Sequence, residues 1–379
     1  MVTLQTYIVY SSLFILMYIL CKQGAEHKSG GFIGPIFAVM LYALVFGIRY
    51  GVGVDHIEYL NDYITEQING YISHNDDTEI GYVKIRSFFS LRGLHYSWYF
   101  AFVAFAQLIF VFLSVKKDRE VLQYLTVSFG LMCIWLSYAN GLRQQLAFCI
   151  FTLILSLLSD KKNLLWILLL LFCAISIHKS ASLLIGIIIL LLLFRKEWFS
   201  NVAPQLIMLC IAIIVGQLPV TQNLISFSEG YMQLWESTGY DIYFEEEFTD
   251  LMLNTSSHRG AGFYVLLLID VMLIMLSRKV KTFCSSLFLN RAYNLYFIGV
   301  LIHYALIASP MIGRINYYFY GFNFIIMAYT LYTTNKCDKK LFYFILGILI
   351  ICFIGHLYKM YDNTAAYYFI WQQDLYNVK

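Results

Sequence analysis

Long, unbroken apolar runs separated by short charged connectors dominate this chain. Windows of roughly 15–20 residues, the length that carries a helix across a bilayer, recur along it. They predict twelve spans at 3–21, 31–48, 95–114, 122–139, 144–158, 163–177, 181–194, 202–218, 261–277, 293–309, 316–334 and 341–358. The runs are continuous and do not alternate, so they predict helices and exclude a β-barrel. Two long polar stretches interrupt the pattern, 49–94 and 219–260. Both are rich in carboxylates and in Tyr with Trp or Phe. Such stretches suit sugar binding, with rings against C–H faces and carboxylates on hydroxyls; equally, the rings suit an interfacial belt. The expected fold is an all-α polytopic membrane protein, one domain over 1–379 with two long loops.

Composition narrows this further. Apolar residues make up 60% of the chain and charged residues 13%. A soluble domain carries about 25% charged residues, so a soluble protein of this size is excluded. The N-terminal run lacks a basic n-region and a small-residue cleavage site, and reads as a retained span. The eight cysteines form no CxxC pair and lie outside both polar stretches, so no disulfide frame or metal cluster is expected. There is no GxxxxGK[ST] loop, no DxD pair and no basic-aromatic surface, so no cofactor, metal or nucleic-acid partner is expected.

Charge orients the spans. Lys22, Lys28, Lys116, Lys117, Arg119, Lys161, Lys162, Arg195, Lys196, Arg278, Lys279, Lys281, Arg291, Lys336, Lys339 and Lys340 share one set of short connectors. These are 16 of the 26 basic residues and mark the cytoplasmic side. Both polar stretches and both termini then lie outside.

The remaining basic groups include the candidates for chemistry. Arg143 follows the turn signal Asn140-Gly141 and opens an apolar helix, next to free backbone N–H groups and the positive helix end, with Gln144 beside it. His178-Lys179 sits in a very short turn between two spans, and its imidazole is a candidate base for a sugar hydroxyl. Arg314 follows Pro310 and Gly313 and precedes Tyr317 and Tyr318. Arg49-Tyr50 is followed by Gly51 and Gly53, which let a loop approach a ligand closely, and by Asp55 and His56, two further candidate bases. Arg86 flanks the third span as a candidate substrate contact or an ordinary loop charge. Cations gathered at one face point to an anionic ligand, a lipid-linked phosphate or pyrophosphate, because guanidinium forks match phosphate oxygens. Asp270 and His303 lie inside apolar runs and read as a functional pair or as an Asp–His hydrogen bond that fixes helix packing.

Four segments in order, GIRYGVGVDHIEYLNDY (47–63), NGLRQQLAFCIFTLIL (140–155), AISIHKSASLL (174–184) and GRINYYF (313–319), resemble the EpsG/Wzy group of polysaccharide polymerases. The first reads Asp-His where Asp-Tyr is more usual, and the second polar stretch has no counterpart. The resemblance implies an inner-membrane enzyme that joins undecaprenyl-pyrophosphate-linked oligosaccharides, as donor and acceptor, at the periplasmic face. It also implies a chain-length regulator as a candidate partner. The chemistry expected is metal-independent glycosyl transfer. Arg143 and Arg314 stabilise the pyrophosphate, His178, Asp55 or His56 acts as base, and Arg49, Tyr50, Gln144, Lys179, Tyr317, Tyr318 and Arg86 bind substrate. A flippase of lipid-linked sugars and an O-antigen ligase are the alternatives. A flippase usually carries midplane sites in internal repeats, and no repeat is seen.

Overall fold

The computed structural model describes residues 2–26, 32–71, 79–158, 163–193, 197–218, 260–306, 310–360 and 364–377. The second polar stretch falls outside these, apart from its last residue. The apolar runs fold as helices, because a helix is the one local structure that satisfies its own backbone in an apolar solvent. In chain order the elements are α1 (Val2–Glu26), α2 (Ile33–Gly47), β1 (Arg49–Tyr50), α3 (His56–Asn69), α4 (Ile80–Ser90) and α5 (Tyr96–Ser114). There follow α6 (Arg119–Leu131), α7 (Ile134–Asn140), α8 (Leu142–Leu157), α9 (Leu164–Ile177), α10 (Leu183–Leu193) and α11 (Val202–Val215). The chain closes with α12 (Ala261–Cys284), α13 (Leu287–Ala305), α14 (Pro310–Tyr320), α15 (Asn323–Cys337), α16 (Lys339–Met360), β2 (Tyr368–Phe369) and α17 (Gln373–Asn377).

Among the described residues, four helices are long and apolar enough to cross a membrane: Thr3–Glu26, Tyr96–Ser114, Ala261–Cys284 and Lys339–Lys359. Their outward faces carry bare apolar side chains such as Leu4, Ile8, Tyr264 and Ile351, which water does not tolerate in such stripes. Other expected spans are shorter. Helix α8 has 16 residues, α2 has 15, and α9 and α11 have 14. At about 1.5 Å per residue, none of these reaches the roughly 30 Å of a hydrocarbon core by itself. Two expected single spans are broken. The 122–139 run divides into α6 and α7, bent by 71° at Cys133, whose φ of 54° is left-handed. The 316–334 run divides at Gly321-Phe322 between α14 and α15.

The chain forms two compact units, residues 1–192 with 327–379, and residues 193–326. In the first, α5 runs from one polar end to the other. At one end Glu120 pairs with Lys336 and accepts from Tyr332, while Asp118 accepts from Tyr329. At the other end β1 pairs antiparallel with β2, Arg49 opposite Phe369 and Tyr50 opposite Tyr368. The start of α1 reaches the same end, where Gln5 donates to the Tyr367 carbonyl and Thr6 accepts from the Tyr367 amide. The polar stretch 49–94 contributes two helices there. Amphipathic α3 and α4 are joined by buried Arg86, which pairs with Glu66 and Asp62 while Ser87 and Ser90 donate to Glu66.

In the second unit, Lys281 pairs with Glu197 and donates to the Phe199 carbonyl at one end. Helices α13 and α14 pack tightly because Gly299 has no side chain. A Cβ there would come within 2.3 Å of the Tyr320 backbone nitrogen, and Asn316 donates to the Gly299 carbonyl at 3.0 Å.

Candidate functional site

A partly open charged node of the first unit forms where three chain segments meet. Helix α8 starts right after Gly141, as the Asn140-Gly141 signal predicts, and puts Arg143 in its first turn. Helix α9 stops at His178, which is extended at φ −153° and ψ 119°, and a short 3-10 turn, Lys179–Ser182, follows. Glu79 stands just before α4 with extended backbone, and its side chain makes no cap bond to that helix. It reaches across. Arg143 donates to Glu79 Oε2 at 2.7 Å, and His178 Nδ1 lies 2.9 Å from Glu79 Oε1. The Lys179 amide donates to the same Oε1 at 2.9 Å. Gly81 permits this approach, since a Cβ there would meet the Ser176 carbonyl oxygen at 2.6 Å and hold α4 away from the end of α9.

The electrostatics favour an ionised carboxylate. Burial alone would raise the Glu79 pKa. The His178 hydrogen bond, the Arg143 charge and the Lys179 amide reverse this and bring it down to about 2. Arg143 also bonds the Tyr59 hydroxyl, which burial pushes up to about 12, so the phenol stays neutral. The Tyr82 ring lies 5.8 Å from the guanidinium carbon. The node is partly open: the side chains of Arg143, His178 and Glu79 are 32%, 13% and 6% exposed. Lys179 is exposed and Gln144 half-buried.

The segment after α2 folds against the same helix start. Arg49 is buried between the rings of Phe46 and Phe100, its guanidinium carbon 5.2 and 5.4 Å from their centroids, and donates to the Ala139 carbonyl. The Asp55 amide donates to Asn140 Oδ1. Gly53, at φ 93°, does make a close approach, but to its own chain: a Cβ would sit 3.2 Å from the Ala139 oxygen. Tyr50 packs edge-on against Tyr376. His56 is fully buried and stacks on Phe100 at 4.7 Å, and neither ring nitrogen has a partner among the described residues. Burial, reinforced by the Arg49 charge, pushes its pKa well down, so the ring is neutral. Asp55 is half-buried at the helix start, next to this cluster.

Residues 32–372 match the model of the EpsG family, which covers nearly the whole chain. The chain belongs to the EpsG family. No curated protein and no solved structure matches it. EpsG membership ties the chain broadly to polysaccharide polymerisation at a membrane.

Among the sequence candidates of this EpsG-family chain, Arg143, His178 and Lys179 meet at Glu79, and Arg49, Tyr50, Asp55 and His56 line the neighbouring turn. Arg86 serves the α3–α4 joint described above. Arg314 lies exposed on α14 in the second unit, with Tyr317 partly exposed and Tyr318 buried. Pro310 is the first residue of that helix and Gly313 lies within it, so the backbone runs unbroken through Arg314. Glu79 was not singled out by sequence. It stands in the acid-rich run HNDDTEIGYV, where nothing marks one carboxylate above its neighbours. The expected Asp270–His303 bond is not made. Asp270 instead accepts from Tyr296, Tyr304 and Tyr320 at 2.7, 2.9 and 2.9 Å, and the His303 ring stacks on Tyr320. Among the described residues, no group of three His, Cys, Asp or Glu is arranged to hold a metal ion.

Proposed function

We propose that this chain is a glycosyltransferase that joins polyprenyl-pyrophosphate-linked oligosaccharides at the periplasmic face of the inner membrane, making O-antigen, capsule or exopolysaccharide. The observation that carries the reading is the meeting of Arg143 and His178, from two helices, at one partly open node. Arg143 supplies a planar fork whose five donors are not exhausted by Glu79 and Tyr59. A preorganised donor of this kind stabilises charge that builds on a leaving pyrophosphate. His178 is the base for the acceptor hydroxyl. Lys179 and Gln144, beside the node, hold phosphate and sugar. Arg314 and Tyr317, exposed on α14 of the second unit, are further candidates to do so, whereas Arg49, Tyr50 and Tyr318 are buried and support the fold around them.

The lysine-rich connectors support the assigned face, and the twelve-span topology is the proposed frame. Within the first unit, the Lys336–Glu120 connectors and the Arg143 node lie at opposite ends of α5, in keeping with a cytoplasmic and a periplasmic end. The chemistry needs no metal, because the donor is already activated and the cations are side chains.

Gel resolution of surface glycan tests the reading. A deletion strain is expected to show single repeat units with no ladder. Arg143→Ala, Arg314→Ala and His178→Ala are each expected to resemble it. Complete loss of surface sugar in the deletion would fit a flippase and overturn the polymerase reading. An unchanged ladder in both Arg143→Ala and His178→Ala would overturn the Glu79 node as the site, and an unchanged ladder in Arg314→Ala would remove Arg314 from the reading.

A further inference from the structure

We propose that Glu79 is the positioning residue of the base: it holds His178 as the Nδ1–H tautomer and leaves Nε2 as the proton acceptor. This rests on reading His178 as the base of glycosyl transfer.

Three donors converge on the two oxygens of Glu79. His178 Nδ1 and the Lys179 amide share Oε1, and Arg143 takes Oε2. With all three in place the carboxylate is ionised and has no proton to give. The proton in the 2.9 Å contact therefore belongs to Nδ1. Nε2 has no partner among the described residues. A base oriented by a third group is the arrangement that nucleophile activation uses. An acid held at about 2 is too weak a base to take a sugar proton, so Glu79 acts through His178. The charged and titratable groups facing the imidazole are Glu79 ahead of α4, Arg143 on α8 and Lys179 next in the chain. Tyr82 of α4 and Tyr59 of α3 stand beside Arg143.

In the step this supports, the acceptor hydroxyl gives its proton to Nε2 as its oxygen bonds the donor sugar C1. The C1–O bond to the lipid pyrophosphate breaks, and that electron pair leaves with the pyrophosphate. The imidazolium formed keeps an anion 2.9 Å away.

Glu79→Ala and Glu79→Gln in the full chain separate acceptor from charge. Both are reconstituted in liposomes and supplied with lipid-linked oligosaccharide extracted from cells lacking this chain. Initial elongation rates are read against donor concentration. The His178 tautomer is read by 15N NMR of histidine-labelled protein, assigned by difference from His178→Asn. Glu79→Ala is expected to lose roughly 10²–10⁴-fold in kcat, more than KM rises, and to release the Nδ1–H tautomer to a mixture. In Glu79→Gln the Lys179 amide still demands a carbonyl oxygen at the Oε1 position. The tautomer is therefore expected to persist while kcat falls about 10–100-fold, the value of one charge-assisted hydrogen bond.

An unchanged tautomer in Glu79→Ala, or wild-type kcat in either variant, overturns the proposal. Should Glu79→Ala fail to insert, the rate of Glu79→Gln decides alone. Failure of the underlying reading looks different: the wild-type chain does not elongate, or His178→Ala elongates at the wild-type rate.

Discussion

Glu79 and Asp270 are both buried carboxylates, and each gathers three donors, yet the donors differ in kind. Glu79 is bound by a guanidinium, an imidazole and an amide at a partly open helix start. Asp270 lies inside α12, a helix long and apolar enough to cross a membrane, and is bound by three phenols from α13 and α14. A carboxylate in an apolar span is costly, and neutral hydroxyls reduce that cost without adding a second charge to desolvate. They offer nothing to an incoming anion. The Glu79 partners are groups that a phosphate also seeks, in a place it can reach. Asp270 is held by neutral phenols alone, whereas Glu79 is held by a guanidinium and an imidazole with a backbone amide.

A large effect on rate is expected at Arg143. Arg143→Ala removes a preorganised donor and should cost roughly 10²–10³ in elongation rate, about 2.7–4 kcal/mol, with normal membrane insertion. Arg143→Lys keeps the charge but loses the fork, and should recover only a small part of that rate. A lysine variant at the wild-type rate would reduce the node to a structural pairing and dissolve the contrast with Asp270.

Acid should act on the Glu79 node with a defined sign. Its folded pKa, about 2, lies below the ordinary 4.5, so its stabilisation is present above 4.5 and is lost as pH falls toward 2. The difference in unfolding free energy between wild type and Glu79→Gln should be about 3 kcal/mol at neutral pH. It should hold steady from pH 8 down to about 5 and shrink below that. A difference that shrinks between pH 8 and 6 would mean that some other group governs the node.

Backbone contact near Asp270 gives the third test. Gly299→Ala drives a methyl to 2.3 Å from the Tyr320 nitrogen, and the obstacle is backbone, not a flexible side chain. Overpacking of this kind costs about 1–3 kcal/mol. The melting temperature should fall while KM for the lipid-linked donor stays within about twofold, if the Asp270 region is structural.

What was legible in the chain follows from range. Helix starts are local, so Asn140-Gly141 predicted the entry that places Arg143. The apolar break AISIHKS predicted the turn that carries His178. Broken spans were not legible. The bend at Cys133 depends on a left-handed φ at a residue that shows no preference for it, with the Trp135 indole donating to the Gly130 carbonyl. Nor could periodicity choose Glu79. Its role is set by Gly81 meeting Ser176, a contact nearly a hundred residues apart in the chain. The polar stretch 49–94 hid two amphipathic helices because α3 and α4 bury carboxylates and serines against Arg86, where apolar residues would have announced them.

The smallest effects test whether the three phenols of Asp270 act as equals. Tyr296→Phe, Tyr304→Phe and Tyr320→Phe each delete one hydroxyl and leave the ring. In water a hydrogen bond to a charged group contributes about 1.5–3 kcal/mol. Side-chain bonds inside a bilayer average only about 0.6 kcal/mol and reach about 1.7, because unpaired groups in the membrane find other partners. The second scale applies to a group on a spanning helix, so each variant should lose about 0.6 kcal/mol. Among the described residues Tyr296 is the sole partner of Oδ1, whereas Tyr304 and Tyr320 share Oδ2. Losing Tyr296 strips one oxygen of its only donor and should cost the most of the three. Losing either of the others leaves one donor on Oδ2, and the double variant should exceed the sum of the two singles. Unfolding of the detergent-solubilised chain measures all four. A loss near 3 kcal/mol for any single tyrosine would show that the carboxylate is held as a charge in a far drier place than a shared cage of phenols, and would bring Asp270 closer in kind to Glu79.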